Sequence, residues 1–359
     1  MNKEYTALGL MSGTSGDGVD ASIIKSDGEN KYKVVLDKYF KYDKDIYENI
    51  HRLKESIDNY KDLKKLSEKI GELEKKITLF HAKIVNDLPK DNVDFLGFHG
   101  QTIFHNAKEG VSKQLGDGKL LSQLTKKNVV YNFRENDLKN GGQGAPLVPI
   151  FHKLLVKQNK IDLPVTVLNI GGIANITSVH KENKIFSSDI GPGNCLIDKW
   201  IRLNSDKNYD EEGALAKLGK INKVILDQAL ENFYSNNISK NKSYDIKDFN
   251  LSFVRGLSLV DGAAILTEFT AEIISKNSLD KKIYVCGGGR KNKFLLESIR
   301  KKINGKIELI DDLGIDGDFV ESQAFAYIAI RCYLKLPISF PETTGGKKPL
   351  SGGTVIKIK

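Results

Sequence analysis

Two segments of this chain share one pattern, in which an apolar stretch, a polar turn containing glycine and a second apolar stretch follow one another. The first covers about residues 5–24 and the second about residues 163–179. Such a pattern predicts two strands joined by a turn. Each hairpin is followed by further predicted strands and helices. The near-duplication therefore predicts an α/β protein built from two related halves that face one another across a cleft.

Helical periodicity appears between these strands. Around residues 61–77, apolar residues recur at steps of three and four among Lys and Glu, which predicts an amphipathic helix packed on a sheet. SLVDGAAILTEFTAEIISK predicts a second helix, with apolar residues at helical spacing and no internal proline. The tail SFPETTGGKKPLSGGTVIKIK predicts a turn region that ends in a short strand.

Composition excludes several classes of protein. A length of 359 residues suffices for two domains, and no apolar run approaches the roughly 20 residues of a membrane span. The start MNKEYTALGLMSG turns polar too soon for a secretory signal, so we expect a cytoplasmic protein. The three cysteines, Cys195, Cys286 and Cys332, lack the spacing of a zinc site or a disulfide framework.

The net charge of +9 raises the question of nucleic-acid binding. Only seven of the 55 basic residues are arginines, the residue type that most often reads bases. The lysines are scattered among Asp, Glu and Asn and form no basic stripe. We therefore expect no nucleic-acid partner and no membrane partner.

The turn of the first hairpin, GTSGDG at residues 13–18, has the chemistry of an anion site. Glycines let backbone N–H groups approach phosphate oxygens, and the Thr14 and Ser15 hydroxyls add donors. Asp17 and Asp20 can orient a hydrated Mg²⁺, which binds through one or two carboxylates plus phosphates. A plain hairpin turn fits these residues equally well when they are taken alone.

Two further glycine turns repeat this logic. Gly171 and Gly172 lie in the second hairpin turn, NIGGIAN. Gly287–Gly289 stand between the strand IYVC and a helix, where backbone amides and the helix N-terminus can meet a nucleotide. A close crossing of strand and helix explains the triple glycine without any ligand.

Polar side chains at other turns are candidates for catalysis and sugar binding. Asp189, in SDIGPGN, has the position of a base near a transferred phosphoryl group, although an Asx-turn explains a lone Asp there too. His99 and Gln101, in HGQT, suit sugar hydroxyls, and His99 is as well explained by a structural hydrogen bond. Glu321 opens a helix, where a carboxylate also suits the helix dipole.

Together these motifs resemble the anhydro-N-acetylmuramic acid kinase family, within the actin/hexokinase/heat-shock ATPase superfamily of sugar kinases. The resemblance spans nearly the whole chain, through MSGTSGDGVDAS, GFHGQTIFH, GGQGAPLVPIFH, LNIGGIANIT, SDIGPGN, LTEFTAEII, CGGGRKN, ESQAFA and FPETTGG. It implies two RNase H-like α/β domains flanking a nucleotide cleft, and a homodimer. We expect the first domain at 1–135 plus 336–359 and the second, with the catalytic Asp, at 136–335.

The resemblance also implies a reaction. ATP, with Mg²⁺, phosphorylates 1,6-anhydro-N-acetylmuramic acid while water opens the 1,6-anhydro ring, giving N-acetylmuramic acid 6-phosphate and ADP in peptidoglycan recycling. Asp189 would be the catalytic base, and His99, Gln101, Asn169 and Glu321 would contact the sugar. The residues implied for ATP binding are Gly13, Thr14, Ser15, Gly16, Asp17, Gly18, Val19, Asp20, Gly171, Gly172, Gly287, Gly288 and Gly289.

Three residues depart from the family pattern. Gly16 stands where a larger apolar residue is common, Ile190 where Thr is usual, and Ser322 where Ala is common. The change at Ile190 removes a hydroxyl next to Asp189 in the sequence. Residues 202–250 match weakly, so no substrate contact is expected from them.

Two alternative functions stay open at this point. A related amino-sugar kinase of the same superfamily would use Asp189 to deprotonate the sugar hydroxyl directly. An actin-like nucleotide-binding module would phosphorylate no small molecule, and the SDIGPGN and HGQT turns count against it.

Overall fold

The computed structural model describes residues 3–89, 93–236, 243–277 and 281–358. Residues 1–2, 90–92 and 359 of the predicted first domain and residues 237–242 and 278–280 of the predicted second domain lie outside the described part of the chain. The strands are β1 (Tyr5–Ser12), β2 (Gly18–Ser26), β3 (Tyr32–Lys41), β4 (Phe95–Asn106), β5 (Val111–Leu115), β6 (Asn128–Tyr131), β7 (Val165–Ile170), β8 (Ile173–Val179), β9 (Ile185–Pro192), β10 (Lys282–Cys286), β11 (Lys306–Leu309) and β12 (Thr354–Ile356).

Helices alternate with these strands. The α-helices are α1 (Lys44–Ser56), α2 (Tyr60–Lys65), α3 (Ser67–Asp87), α4 (Gly118–Thr125), α5 (Glu135–Lys139), α6 (Pro149–Gln158), α7 (Cys195–Asn204), α8 (Ala214–Leu218), α9 (Lys223–Asn236), α10 (Leu259–Asn277), α11 (Lys293–Lys302), α12 (Val320–Tyr333) and α13 (Pro341–Thr344). Short 3-10 segments lie at Lys181–Asn183, Glu211–Gly213, Ile246–Asp248, Ser252–Val254, Gly288–Lys291 and Ile310–Leu313. In the described part of the chain, no helix has the length and apolarity to cross a membrane.

The chain divides into two compact units, Met1–Lys160 with Phe319–Lys359 and Ile161–Asp318. The first unit contains a sheet of order β12-β6-β4-β1-β2-β3, with β5 paired to β4. Within it, β1, β2 and β3 are successively antiparallel, while β4 is parallel to β1 and β6 is parallel to β4. The edge strand β12 is antiparallel to β6.

The second unit repeats this topology. Its sheet has the order β11-β10-β7-β8-β9, with an antiparallel meander β7-β8-β9. Strand β10 is parallel to β7, and β11 is parallel to β10. Both units thus follow the strand order 3-2-1-4-5 with the same directions, which is the RNase H-like arrangement. The predicted fold class is confirmed.

Helix α12 packs closely against the first sheet. A Cβ on Gly9 of β1 would lie 1.9 Å from the Ser322 carbonyl oxygen, and one on Gly97 of β4 would lie 2.3 Å from that of Phe325. Only glycine permits such an approach of helix and strand backbones. Nearly every residue of α12 is buried. The helix is therefore a core element of the first unit.

The unit boundaries differ from the predicted domains, because residues 136–160 and 319–335 belong to the first unit. Besides α12, helix α6 packs there. The ring centroid of Phe151 lies 5.0 Å from that of Tyr32 and 5.7 Å from that of Tyr327. The Gln158 side chain also exchanges two hydrogen bonds with the backbone of Tyr32, at 2.9 and 3.0 Å.

The helix predicted around 61–77 is present as two helices. Leu66 ends α2 and precedes α3, with backbone angles outside the helical region. The apolar spacing continues across the break, and Ile70, Leu73 and Ile77 are buried as expected. The periodicity indicated which side chains face the core, but it carried no information on this break.

The second unit has two apolar clusters that share α10. Ala271 and Ile274 face the sheet with residues of β7, β8 and α11. Leu266, Phe269 and Ile273 pack with α7, α9 and the segment 244–254. Glu268, Glu272 and Lys276 form a narrow polar stripe on α10, and the wider remainder of its surface is apolar and buried, so the predicted helix is confirmed.

Candidate active site

The turn between β1 and β2 carries the predicted phosphate residues. Gly16 adopts a φ of +66°, and its N–H donates to the Gly13 carbonyl oxygen at 3.2 Å. The Asp17 carboxylate accepts hydrogen bonds from the Ser15 hydroxyl and, at 3.1 Å, from the Tyr39 hydroxyl. Burial, with the charge of Asp17, raises the pKa of Tyr39, so this phenol stays a neutral donor. Gly18 to Asp20 continue as β2.

Gln101 lies against this turn. Its Nε2 donates to the Gly13 carbonyl oxygen at 2.9 Å, and the residue is completely buried. Its Oε1 accepts no hydrogen bond from any described residue. A buried acceptor without a partner is costly, so Gln101 retains an unused oxygen beside the turn.

His99 is held in the first unit by hydrogen bonds at both ring nitrogens. Arg134 Nη2 lies 2.9 Å from Nε2, and Nδ1 lies 2.8 Å from the Gly100 carbonyl oxygen. Because a guanidinium only donates, we assign the Nε2 as acceptor and the Nδ1 as donor. Burial and the charge of Arg134 lower the pKa of His99 to about 3. The imidazole is therefore neutral, and a direct hydrogen bond to a sugar would replace one of these two.

The sequence analysis missed two residues that join the loops around His99. Arg134 Nη1 also donates to the Gly144 carbonyl oxygen at 2.8 Å. The buried Asp137 carboxylate accepts from the Gly144 N–H at 2.7 Å and from the Thr344 hydroxyl at 2.8 Å. The HGQT, GGQGAP and PETTGG segments are thereby tied into one polar assembly of the first unit.

Glu321 lies in the first turn of α12, as predicted from the sequence, and is partly buried. Ser322 next to it is fully buried, and its hydroxyl lies 2.6 Å from that of Ser22 on β2. The departure from Ala at this position therefore has a hydrogen-bond partner, and it touches none of the predicted site residues.

In the second unit, the Gly171–Gly172 turn accepts backbone hydrogen bonds from the start of α7. The Gly172 carbonyl oxygen accepts from the N–H groups of Gly193 and Cys195 at 3.0 and 3.1 Å, and that of Gly171 accepts from Asn194 at 2.8 Å. The first amides of α7 are among the groups that a helix must satisfy externally. The SDIGPGN segment is thus docked on the glycine turn.

The triple glycine packs on the end of β7. A Cβ on Gly287 would lie 2.2 Å from Asn169 Oδ1, and one on Gly289 would lie 2.2 Å from the Ile170 side chain. Gly288, in contrast, has no atom within 4 Å of such a Cβ. Close packing therefore accounts for Gly287 and Gly289, while Gly288 is the position with open space above it. The structure brings Asn169 and Gly287 together.

Asp189 lies on β9, two strands away from Asn169 on β7. It is partly exposed, and its Oδ2 accepts from the backbone N–H of Tyr244 at 2.9 Å. Burial, with the charges of Asp248 and Asp189, raises the pKa of Tyr244 to about 12, so its phenol adds no second anion. The hydrogen bond from Tyr244 thereby fixes the position of the Asp189 carboxylate.

Tyr244 belongs to the stretch from which the sequence suggested no contact. Its segment is anchored by buried apolar residues, with Phe249, Leu251 and Val254 packed in the same cluster as α10. Their spacing in SYDIKDFNLSFV was the available signal. The contact itself joins residues 55 positions apart through a backbone group, which a sequence pattern does not record.

A metal site made of protein ligands alone is not present in the described segments, where no group of three or more His, Cys, Asp or Glu side chains could hold an ion. Mg²⁺ commonly binds through only one or two carboxylates together with the phosphate oxygens of a nucleotide, and Asp17 and Asp20 are carboxylates that could serve in this way. Asp17 already accepts hydrogen bonds from the Ser15 and Tyr39 hydroxyls, so an ion there would share its carboxylate with both.

Comparison with known proteins decides the family. The sequence model of the family described as anhydro-N-acetylmuramic acid kinase matches residues 5–357. The chain belongs to the anhydro-N-acetylmuramic acid kinase family. Membership confirms the resemblance seen in the sequence, and it makes the chain a sugar kinase that uses ATP. The actin-like module without kinase activity is accordingly disfavoured.

Curated relatives in this family match from end to end. The anhydro-N-acetylmuramic acid kinase of Pelagibacter ubique (strain HTCC1062) is 59% identical, covering 99% of this chain and 100% of the relative. That of Agrobacterium fabrum (strain C58 / ATCC 33970) is 35% identical over the same shares. Among solved structures, the (R)-2-hydroxyglutaryl-CoA dehydratase component A of Acidaminococcus fermentans aligns with 92% of this chain and 100% of its own, at 12% identity and a TM-score of 0.45.

Proposed function

We propose that this kinase phosphorylates 1,6-anhydro-N-acetylmuramic acid on O6 while water opens the 1,6-anhydro ring. The products are N-acetylmuramic acid 6-phosphate and ADP, and the role is peptidoglycan recycling. The observation that carries the proposal is the Asp189 carboxylate, partly exposed and fixed by the Tyr244 N–H at 2.9 Å. It is partly exposed and held in position within β9, and a catalytic base must be both accessible and fixed.

In the proposed reaction Asp189 takes one proton from the attacking water. The hydroxide oxygen forms a bond to C1 of the sugar, and the bond between C1 and O6 breaks with its electron pair on O6. O6 then attacks the γ-phosphorus, and the bond to the β-phosphate oxygen breaks with its electron pair on ADP. The proton leaves Asp189 for solvent. One base thereby serves both bond changes.

For the nucleotide, we propose that residues 13–20 carry the phosphates and that Gly171, Gly172 and Gly287–Gly289 complete the site. The exposed Ser15 in the first turn and the open position at Gly288 support this assignment. Mg²⁺, held through Asp17 and Asp20, would neutralise charge on the β- and γ-phosphates.

For the sugar, we propose Asn169 and Glu321 as direct polar contacts. Gln101 has an unused acceptor, its Oε1, and we assign to that atom the hydrogen bond from the substrate. His99 contributes mainly by orientation, because Arg134 and the Gly100 carbonyl oxygen occupy its nitrogens. Sugar hydroxyls and amides suit such a mixture of donors and acceptors.

We further propose a homodimer in the cytoplasm. The family resemblance supports both statements. Sedimentation velocity at micromolar concentration should give one species of twice the mass of the 40.0 kDa chain. A single species at the monomer mass would contradict the dimer, and recovery in a membrane or secreted fraction would contradict the location.

Isotope labelling tests the coupled reaction. The purified protein is incubated with Mg-ATP and 1,6-anhydro-N-acetylmuramic acid in ¹⁸O-labelled water, and the product is analysed by mass spectrometry before anomeric exchange. We expect a 6-phosphate with one ¹⁸O at the anomeric position. Phosphorylation of another amino sugar, with no product from the anhydro sugar, would move the function to the related amino-sugar kinase.

Replacing the proposed base tests its role. Asp189→Asn should leave ATP binding nearly intact and reduce turnover by at least about a hundredfold, the low end for a positioned base. Steady-state kinetics and nucleotide titration measure the two quantities. Near-normal turnover would remove Asp189 from the mechanism.

A further inference from the structure

One buried lysine contacts the backbone of the turn at residues 13–18, the proposed phosphate turn. Lys54, in the last turn of α1, donates from Nζ to the Thr14 carbonyl oxygen at 2.8 Å and is only 7% exposed. Lys44, at the start of the same helix, has a side chain that is 87% exposed and pairs with Glu48. The buried ammonium group of Lys54 therefore lies directly against the backbone of this turn, whereas that of Lys44 lies in solvent.

The carbonyl groups of the turn point toward protein donors. The Gly13 oxygen accepts from Gln101 Nε2 and from the Gly16 N–H, and the Thr14 oxygen accepts from Lys54. In a planar trans peptide the carbonyl and the following N–H point in opposite directions. The N–H groups of Thr14 and Ser15 are therefore directed away from Gln101 and Lys54. Ser15 is exposed, so this side of the turn faces solvent.

The geometry points to Lys54 as a positioning residue for a nucleoside polyphosphate. Its ammonium holds the Thr14 peptide so that the N–H groups of the turn face the phosphates, and its positive charge favours the anion through the thin layer of backbone. This inference rests on the proposed function, in which residues 13–20 carry the phosphates of ATP. Gln101 acts on the neighbouring peptide in the same way but brings no charge.

Ligands that differ only in their phosphates test this role. Adenosine, ADP and ATP are titrated by calorimetry into the wild type, Lys54→Met and the matched control Lys44→Met. In Lys54→Met we expect the affinity for ADP and ATP to fall at least about tenfold, which is the low end of the effect of losing a hydrogen bond to a charged group. Adenosine affinity should stay unchanged, because it has no phosphate. Lys44→Met should match the wild type with all three ligands.

A kinetic readout separates positioning from a general structural role. In Lys54→Met the KM for ATP should rise more than the KM for the sugar, and the affinity for ADP should depend less on salt than in the wild type. Lys54→Gln, which is neutral but polar, provides the same comparison if the Met variant does not fold.

Three results would overturn the inference. Unchanged ADP affinity in a folded Lys54 variant would show that the turn needs no such support. An equal loss of adenosine and ADP affinity would show that Lys54 supports the unit as a whole. A wild-type protein that binds adenosine but gains nothing from the phosphates of ADP would instead overturn the proposed phosphate site, and the inference with it.

Discussion

At the scale of single residues, Ile190 shows how a departure from the family pattern is accommodated. Its neighbour Asp189 is held by the Tyr244 N–H, whereas Ile190 is 5% exposed in an apolar cluster with Leu168 and Ile274. Ile190 is the extra residue of a bulge in β9, because β8 pairs Ala174 with Gly191 and Asn175 with Asp189, so its burial rather than strand alternation shows which way it points. The side chain at position 190 therefore faces the core. Whether it is Ile or Thr should alter the stability of the unit more than it alters the Asp189 carboxylate.

Restoring the usual threonine tests this placement. Ile190→Thr should lower the free energy of unfolding by about 2–4 kcal/mol, because it removes apolar volume and buries a hydroxyl. Ile190→Val, which removes one methylene only, should cost about 0.5–1.5 kcal/mol. Urea unfolding and steady-state kinetics are the measurements. A large change in turnover without loss of stability would mean that the hydroxyl reaches Asp189.

Gly16 is a second departure with a local cause. It has a φ of +66°, and a Cβ there would lie 2.9 Å from Cγ2 of the fully buried Ile50. Gly110 has a φ of +65° and nothing within 4 Å of such a Cβ, so it isolates the backbone effect. Gly16 is buried and Gly110 is exposed, and the other neighbours of a Cβ on Gly16 lie at the ordinary contact distance of 3.8 Å, so the short contact with Ile50 is the main steric difference.

Alanine at both positions separates these effects. We expect Gly110→Ala to cost about 1–2 kcal/mol of unfolding free energy from the left-handed backbone alone. Gly16→Ala should cost clearly more, and Ile50→Ala should relieve part of the excess in the double variant. Chemical denaturation of the wild type, the three single variants and the double variant measures the coupling. If Gly16→Ala and Gly110→Ala lowered the unfolding free energy equally, contact with Ile50 would not be what restricts position 16 to glycine.

At the scale of secondary-structure elements, Arg290 joins the triple glycine to the connection that leads out of the second unit. The guanidinium is 6% exposed and donates to Asp311, to Asp316 and to Asp318, and also to the Gly287 carbonyl oxygen. Burial opposes ionisation of Asp311 and Asp318, but the hydrogen bonds and charge of Arg290 outweigh it and lower the pKa of both. These lowered values link stability to pH.

The sign of that dependence follows from the shift. A lowered pKa in the folded state gives stability that is present above the unfolded value of about 4 and is lost as the pH falls through the folded value. Arg290→Gln should therefore lower the free energy of unfolding by roughly 2–4 kcal/mol at pH 7. This loss is near the lower end for breaking a buried pair, because the carboxylates are partly exposed. The difference in unfolding free energy between this variant and the wild type should shrink below about pH 4.

Urea unfolding at several pH values measures this deficit. Lys291→Gln is the matched control, because Lys291 pairs with Asp318 but has a side chain that is 62% exposed. A surface pair of this kind contributes about 1 kcal/mol at most. A deficit for Arg290→Gln that does not vary with pH would mean that the carboxylates are not its source.

The sequence predicted elements and turns better than it predicted their partners. Both hairpins, the helix at α10 and the final strand follow from periodicity and glycine turns. The assignment of α6 and α12 to the first unit did not, because an apolar face does not specify which sheet it meets. Likewise, the motif around Asp189 was visible, but Tyr244 and Arg134 act through contacts distant along the chain, one of them by a backbone group.

At the scale of the whole molecule, the second unit is one continuous segment, Ile161–Asp318, inserted between the two parts of the first. The first unit consequently depends on residues after the insertion. Gly9 and Gly97 leave space on its sheet that α12 fills with its backbone. Without α12, the apolar side of β1 and β4 would be exposed to water. Burial of that surface is the main stabilising contribution to such a unit.

Fragments of the chain test this dependence. Residues 161–318 contain both apolar clusters of their unit, so we expect this fragment to unfold cooperatively by itself. Residues 1–160 should not do so, because they lack α12, and a protein in which a short linker joins 1–160 directly to 319–359 should recover the transition. Circular dichroism with urea measures all three. Cooperative unfolding of 1–160 alone would show that its sheet is stable without α12, and failure of the linked protein would show that the first unit needs the second in order to fold.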